Sequence, residues 1–280
     1  DYATQLIEHA YIEPEAAVAL PGAGGGVTVY GSIQNPFTCR RAVAGVLGLP
    51  LAKVRIVQSH MGGSFGGKDE VMSAMCARVA LGAQLTGRPV KMVNNREESL
   101  VESYKRHPYR MHYKIGVRRD GRITAMEVRM LADAGGYASQ SAFVTWRSTV
   151  QATGPYVVEN VKTDIYAAFT NNTYTGAMRG FGSPQAIFAN ESLMDEVALE
   201  LGMDPVQLRM VNGFEGGSVT ATGHKLDEHT VSLKEVVRKA TETARWGEKR
   251  ARLCVENEGR AIKRGIGMAC SFRGCALGAE

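Results

Sequence analysis

Apolar and polar positions along the 280 residues change period repeatedly, which predicts short strands mixed with helices. Tyr11 to Tyr30 joins an apolar run to a flexible turn at Gly22–Gly26 and then a strand, Val27 to Tyr30. Pro36 to Leu47 predicts a helix closed by Gly48-Leu49-Pro50, and Val54 to Val57 a strand. From Lys68 to Leu85 the spacing of Val71, Met75, Val79 and Leu85 fits a helix stopped near Gly87 and Pro89, with a strand at Val90 to Val93. Arg110 to Val117 and Ile123 to Ala132 meet across Asp120-Gly121, a hairpin signal. Ser183-Pro184 reads as N-cap and first helical position of a helix through Leu201. Asp204-Pro205 repeats the device for a helix to Val211. A further helix is predicted over 233–252 and a strand near Gly265. There is no regular βαβ alternation and no internal repeat, so the expected class is α+β. Residues 1–214 are expected to form a first domain, 215–232 a connector, and 233–280 the truncated start of a second.

Composition narrows this picture. With 44% hydrophobic and 22% charged residues the chain can bury a core. A net charge of +5 suits an anionic ligand, but the basic residues form no long block of the kind nucleic-acid arms carry. No apolar run reaches the roughly 18 residues of a membrane span and no signal peptide opens the chain, so a cytoplasmic location is expected. Cys39, Cys76, Cys254, Cys270 and Cys275 are odd in number and scattered, as reduced thiols are. A start at Asp1 and a stop at Glu280 without a helix stop suggest a piece of something longer.

Glycine is the unusual figure: 32 residues, about 11%, against a usual share of about 7%. Gly62-Gly63-Ser64-Phe65-Gly66-Gly67-Lys68-Asp69 is a glycine-rich loop between strand and helix, where backbone N–H groups and the helix dipole favour an anion. Its spacing matches the first seven positions of a phosphate-binding Walker loop, but Asp69 stands where Ser or Thr would hold magnesium. A nucleotide-binding protein is therefore one alternative; a tight turn without ligand, in a scaffold or subunit-interaction piece, is another. Ala177-Met178-Arg179-Gly180-Phe181-Gly182 is a second such loop, with Arg179 able to face an anion and Phe181 suited to face a pocket. Two loops point to one large anionic cofactor gripped from both sides.

Glu8-His9-Ala10-Tyr11-Ile12-Glu13-Pro14, the two loops, Ser32-Ile33-Gln34-Asn35-Pro36-Phe37 and Leu201-Gly202-Met203-Asp204-Pro205 occur in order. Together they resemble the molybdenum hydroxylases, the family of xanthine dehydrogenases, aldehyde oxidoreductases and nicotinate dehydrogenases, in its molybdopterin-binding large subunit. The resemblance implies the α+β molybdopterin-binding domain of the xanthine dehydrogenase and aldehyde oxidase type. It also implies a molybdopterin, in a dinucleotide form, whose pterin and not a side chain holds the molybdenum. Gly63, Phe65, Gly66, Gly67, Ala177, Met178, Arg179 and Gly180 would bind the cofactor, and Asp69, Arg147 and Phe181 the substrate. The implied reaction is hydroxylation of an N-heterocycle, purine or nicotinate-like, with oxygen from water; an aldehyde is the alternative substrate. Electrons would pass to iron–sulfur clusters and FAD on partner chains or segments, since no such fingerprint is present; Cys270-x₄-Cys275 alone is not one. The catalytic base is expected C-terminal to Glu280, so the 280 residues alone should be inactive. Three positions depart from the family pattern: Ile7 in place of a glutamine, Asp69 in place of a glutamate, and Met268-Ala269 in place of a Phe-Thr pair. His107, His112, His224 and His229 show neither metal spacing nor a nucleophile partner; His60, before the first loop, could donate to a cofactor oxygen but reads first as structural, as do Glu8 and His9.

Overall fold

Runs of β-branched and aromatic residues pair into two four-stranded sheets, each covered by helices with apolar faces. The computed structural model describes residues 1–227 and 231–273. His229, Cys275, Glu280 and positions 228–230 of the expected connector lie outside the described residues.

The first sheet has the order β4-β3-β2-β5, from β2 (Ala16–Pro21), β3 (Val27–Gly31), β4 (Val54–Gln58) and β5 (Val90–Val93). Helix α1 (Pro36–Leu47) carries the chain from β3 to β4, which pair in parallel. Asn35 caps it by accepting from the Thr38 N–H at 3.2 Å, and Gly48 ends it at φ 64°. Helix α2 (Val71–Thr86) lies beside α1, and Val43, Met72, Met75 and Val79 close a core on Val29.

The second sheet, β1-β6-β7-β8, is built from β1 (Tyr2–Ala3), β6 (Tyr109–Val117), β7 (Ile123–Gly135) and β8 (Asn160–Phe169). The β6–β7 hairpin turns at Arg118–Gly121, as expected. Tyr109, Met111, Met126, Val128 and Met130 point to α5 (Ser183–Glu200), whose Ala186, Ala189 and Leu193 complete that core. Short α6 (Pro205–Asn212) is capped by Asp204, which accepts from the Val206 N–H at 2.8 Å.

Several expectations change. The α+β class holds with two isolated βαβ crossovers inside it: the one through α1, and a second because β7 and β8 are parallel and joined through α4 (Ser141–Val150). Neither α4 nor β8 announces itself, because each mixes polar and apolar residues without a clean period. A short helix, α3 (Arg96–Glu102), also appears, held by an Asn95–Glu98 capping box. Helix α2 begins at Val71 and not Lys68, because the preceding residues are still in the turns of the loop. The N-cap before α5 is Gly182 at φ 98° and not Ser183, which lies inside the helix. The single helix over 233–252 is two, α7 (Leu233–Ala244) and α8 (Trp246–Glu256), broken at Arg245 with φ 50°. Trp246 Nε1 donates to Asp204 Oδ2 at 3.0 Å and turns the second piece toward α6. No strand forms near Gly265 among the described residues; instead Met268, Cys270, Leu233 and Val237 share a core cluster with Tyr156, Met194 and Leu208. No described helix is long and apolar enough to cross a membrane.

Candidate functional site

The first glycine-rich loop leaves β4 and is tied down before α2 begins. The Gly62 N–H donates to Glu13 Oε2 at 2.6 Å. Lys68 is fully buried, and its Nζ donates to Glu13 Oε2 at 2.8 Å and to Ser32 Oγ at 2.9 Å. It also stands 4.8 Å from the centroid of the Tyr11 ring, a cation–π contact. This removes the nucleotide-binding alternative, because a phosphate-binding loop needs that lysine at the ligand and here it points inward.

The second loop meets the first at the level of the backbone. A Cβ placed on Gly66 would lie 2.5 Å from the Ala177 carbonyl oxygen, so only glycine permits the approach. The Arg179 N–H donates to the Phe65 carbonyl at 2.8 Å. Tyr104 Oη donates to the Gly66 carbonyl at 2.5 Å, and His9 Nε2 to the Ala177 carbonyl at 2.6 Å. His9 and Tyr11 also fill the space beside Gly67, where a Cβ would come within 2.5 Å of the Tyr11 ring. Burial pushes the His9 imidazole down from its ordinary value, so the ring is a neutral donor at Nε2. Phe65 and Phe181 both hold left-handed backbone, φ 52° and 53°, a strained conformation for an aromatic residue. Phe65 is 45% exposed, whereas Phe181 is half-buried against Val71, Tyr104 and Ala177.

The structure therefore brings Gly63, Phe65, Gly66 and Gly67 into one neighbourhood with Ala177, Met178, Arg179, Gly180 and Phe181. The Arg179 side chain is exposed, and its carbonyl accepts from Arg106 Nη2 at 2.7 Å. Asp69 follows the loop half-buried, with Oδ1 lacking a partner among the described residues. Burial raises its carboxyl above the ordinary range, Asn35 opposes that, and Glu70 adds to it. Arg147 sits in α4 behind the second loop: neighbouring Ser148 Oγ donates to the Gly182 carbonyl at 3.0 Å. Its side chain is sealed from solvent (0% exposed) and does not line an open cavity. Met268 packs in the cluster around Met194 and Leu208, a different one from that of Phe181. Ile7 is exposed, its carbonyl accepting from the Arg106 N–H at 3.0 Å. His60 is exposed on the way into the first loop. A groove of about 1050 Å³ lies elsewhere, along Tyr2, His112, Arg129 and Tyr166.

Sequence reasoning missed the residues that knit the loops together. Tyr104 and Arg106 carry no motif, and Glu13 and His9 sit in a matched motif without a visible role. Chemically, the seam between the loops offers amide donors and a cation beside two aromatic rings. The Phe65, Gly66 and Gly180 N–H groups make no hydrogen bond to another described residue, and the exposed Arg179 guanidinium adjoins them in sequence. Such a donor set suits a large, anionic, partly planar group.

Residues 1–213 match the family described as "Molybdopterin cofactor-binding domain". The chain is similar to the nicotinate dehydrogenase large molybdopterin subunit of Eubacterium barkeri, 47% identical over 243 residues, covering 87% of this chain and 56% of that protein. It is also similar to the xanthine dehydrogenase molybdenum-binding subunit of Escherichia coli, 33% identical over 275 residues, 96% of this chain and 35% of the relative. Among solved structures, the aldehyde oxidoreductase from Desulfovibrio gigas superposes with a TM-score of 0.83 at 30% identity, over 93% of this chain and 28% of that one. The chain thus spans about half, or less, of the length of these relatives.

Proposed function

The chain belongs to the molybdopterin cofactor-binding domain family, and from that premise we propose that its two loops hold the cofactor of an N-heterocycle hydroxylase. The observation that carries the reading is the seam at Gly66 and Ala177, where two glycine-rich loops touch through their backbones. The residues present fit the group: orphaned amides at Phe65, Gly66 and Gly180 and the exposed Arg179 match the oxygens and phosphate of an anionic pterin. When bound, a molybdopterin supplies the two-electron redox chemistry and the Lewis acidity that polypeptide lacks.

The chain's own residues do the rest. Gly63 and Gly67 let the loop fold tightly, and the amides beside Phe65 would hold the anionic atoms of the group. Ala177, Met178 and Arg179 bound the other side. Phe181 offers a flat face for an aromatic substrate, and Asp69, with acceptor capacity left over, orients a ring nitrogen. Arg147 is kept in this reading as the substrate-orienting charge, held in α4 next to Ser148, whose Oγ reaches the Gly182 carbonyl of the second loop. A heterocycle is favoured over an aldehyde because the relative with 47% identity is a nicotinate dehydrogenase. Electron transfer to iron–sulfur and flavin subunits completes the reading.

The test is elemental analysis for molybdenum on the full chain with its partner subunits, followed by turnover of nicotinate, hypoxanthine and benzaldehyde in isotopically labelled water. Molybdenum in stoichiometric amount and label entering a heterocycle are expected. A protein free of molybdenum, or one that oxidises only benzaldehyde, overturns the corresponding part of the reading.

A further inference from the structure

We propose that Glu13 is the positioning residue of the first glycine-rich loop: one carboxylate oxygen grips both ends and sets where Phe65 and Gly66 stand. The inference rests on the reading above that this loop faces the cofactor.

Glu13 Oε2 accepts from three donors: the Gly62 N–H at 2.6 Å, Lys68 Nζ at 2.8 Å and Ser32 Oγ at 2.8 Å. Gly62 and Lys68 bracket the loop, so the carboxylate closes it into a ring. A backbone bond from the Glu13 N–H to the Gly62 carbonyl, 3.4 Å, reinforces the entry side. The approach is close enough that a Cβ on Gly62 would fall 2.6 Å from Glu13 Cβ, which accounts for glycine there. Within the ring, Gly67 N–H to Ser64 carbonyl, 2.8 Å, and Asp69 N–H to Gly66 carbonyl, 3.2 Å, shape the tip. The tip then meets Arg179 through the Phe65 carbonyl. Burial pushes the Glu13 carboxyl up, but Lys68, Gly62 and Ser32 together reverse that and leave it below the usual range. Glu13 therefore stays an acceptor for all three donors at neutral pH.

A simpler role exists for the same contact: Lys68 is fully buried and needs a counter-charge. Two variants separate the roles. Glu13→Gln keeps an oxygen acceptor but strands the Lys68 charge, whereas Glu13→Gln with Lys68→Met removes both charges. Each is made in the full chain with its partner subunits and measured for thermal midpoint, molybdenum retained after dialysis, and amide exchange over 62–69 and 177–183. The double variant is expected to regain the thermal midpoint lost by Glu13→Gln. Its Gly67, Asp69 and Arg179 amides should still exchange roughly tenfold or more faster than wild type, as loss of a charge-assisted hydrogen bond implies. Its molybdenum content should stay low. Wild-type exchange and wild-type molybdenum in the double variant would leave Glu13 a counter-ion only and sink the proposal. If the wild-type protein itself retains no molybdenum, the cofactor reading fails, while the exchange data still decide whether Glu13 sets the loop.

Discussion

Replacing Gly66 by alanine tests whether the two loops must touch. Gly66 holds φ 97°, and the added Cβ would stand 2.5 Å from the Ala177 oxygen, 2.8 Å from its carbonyl carbon and 3.1 Å from Met178 Cα. Those neighbours are backbone, so the loops must part. Parting them strains or breaks the Arg179 N–H to Phe65 carbonyl bond and the Tyr104 Oη to Gly66 carbonyl bond. Left-handed backbone costs an alanine roughly 1–2 kcal/mol, and each of the two lost hydrogen bonds about 1 kcal/mol, giving roughly 3–4 kcal/mol in all. Gly25→Ala is the matched control. Its φ is 76° and nothing lies within 4 Å of the new Cβ, so it bears only the backbone strain. Both variants are compared with wild type by thermal denaturation and molybdenum analysis of the full chain with its partners. Gly66→Ala should lower the midpoint by several degrees more than Gly25→Ala and lose most of its molybdenum. Equal midpoints and equal molybdenum in the two variants would refute the contact as the cradle's foundation.

Three further outcomes are expected. Arg179→Ala removes an exposed guanidinium, so it should leave the thermal midpoint of the metal-free protein unchanged while weakening cofactor retention about 10- to 100-fold; retention equal to wild type takes Arg179 out of the site. Glu191 accepts from Tyr156 Oη, from Arg209 Nε at 2.9 Å and from the Cys270 N–H at 2.7 Å, so Glu191→Ala removes one shared buried acceptor and leaves Arg209 with Asp195 at 2.7 Å as its remaining carboxylate; it should cost roughly 2–4 kcal/mol in chemical denaturation, and a loss under about 1 kcal/mol contradicts this. His107 is pushed down to about 4 by burial, with Asp133 opposing and Arg106 assisting. Its folded value lies below its unfolded value, so the unfolded chain binds the extra proton: the stabilisation is complete above about pH 6.5 and is lost as pH falls toward 4, about 3 kcal/mol in total. His107→Gln should flatten that part of the midpoint-against-pH curve between pH 6.5 and 4, and an unchanged slope assigns it to other groups.

Much of the fold was legible because its signals are local. Asn35-Pro36 and Asp204-Pro205 cap helices with atoms two or three residues away, and Gly48 ends one through its own backbone freedom. The β6–β7 hairpin needs only four turn residues and alternating flanks. Both glycine-rich loops stood out for the same reason, as did Phe181, since an aromatic set between two glycines is a purely sequential feature. The order of the motifs along the chain was enough to mark the family.

What the sequence left open depends on partners far away in the chain. His9 reaches Ala177, Tyr104 reaches Gly66, and Glu13 joins Gly62 to Lys68 across separations that no spacing rule records. The inward turn of Lys68, which removes the nucleotide-binding reading, follows from Glu13, Ser32 and Tyr11 being gathered beneath it. Strand β8 became a strand because β7 offered a parallel edge, and Arg245 broke a long helix where Trp246 found Asp204. Side-chain type and periodicity decide which segments fold locally and which surfaces must be buried. Which buried charge meets which carboxylate, and so where the two loops stand, is decided only when packing in three dimensions gathers Glu13, Lys68 and Ser32 into one set of hydrogen bonds.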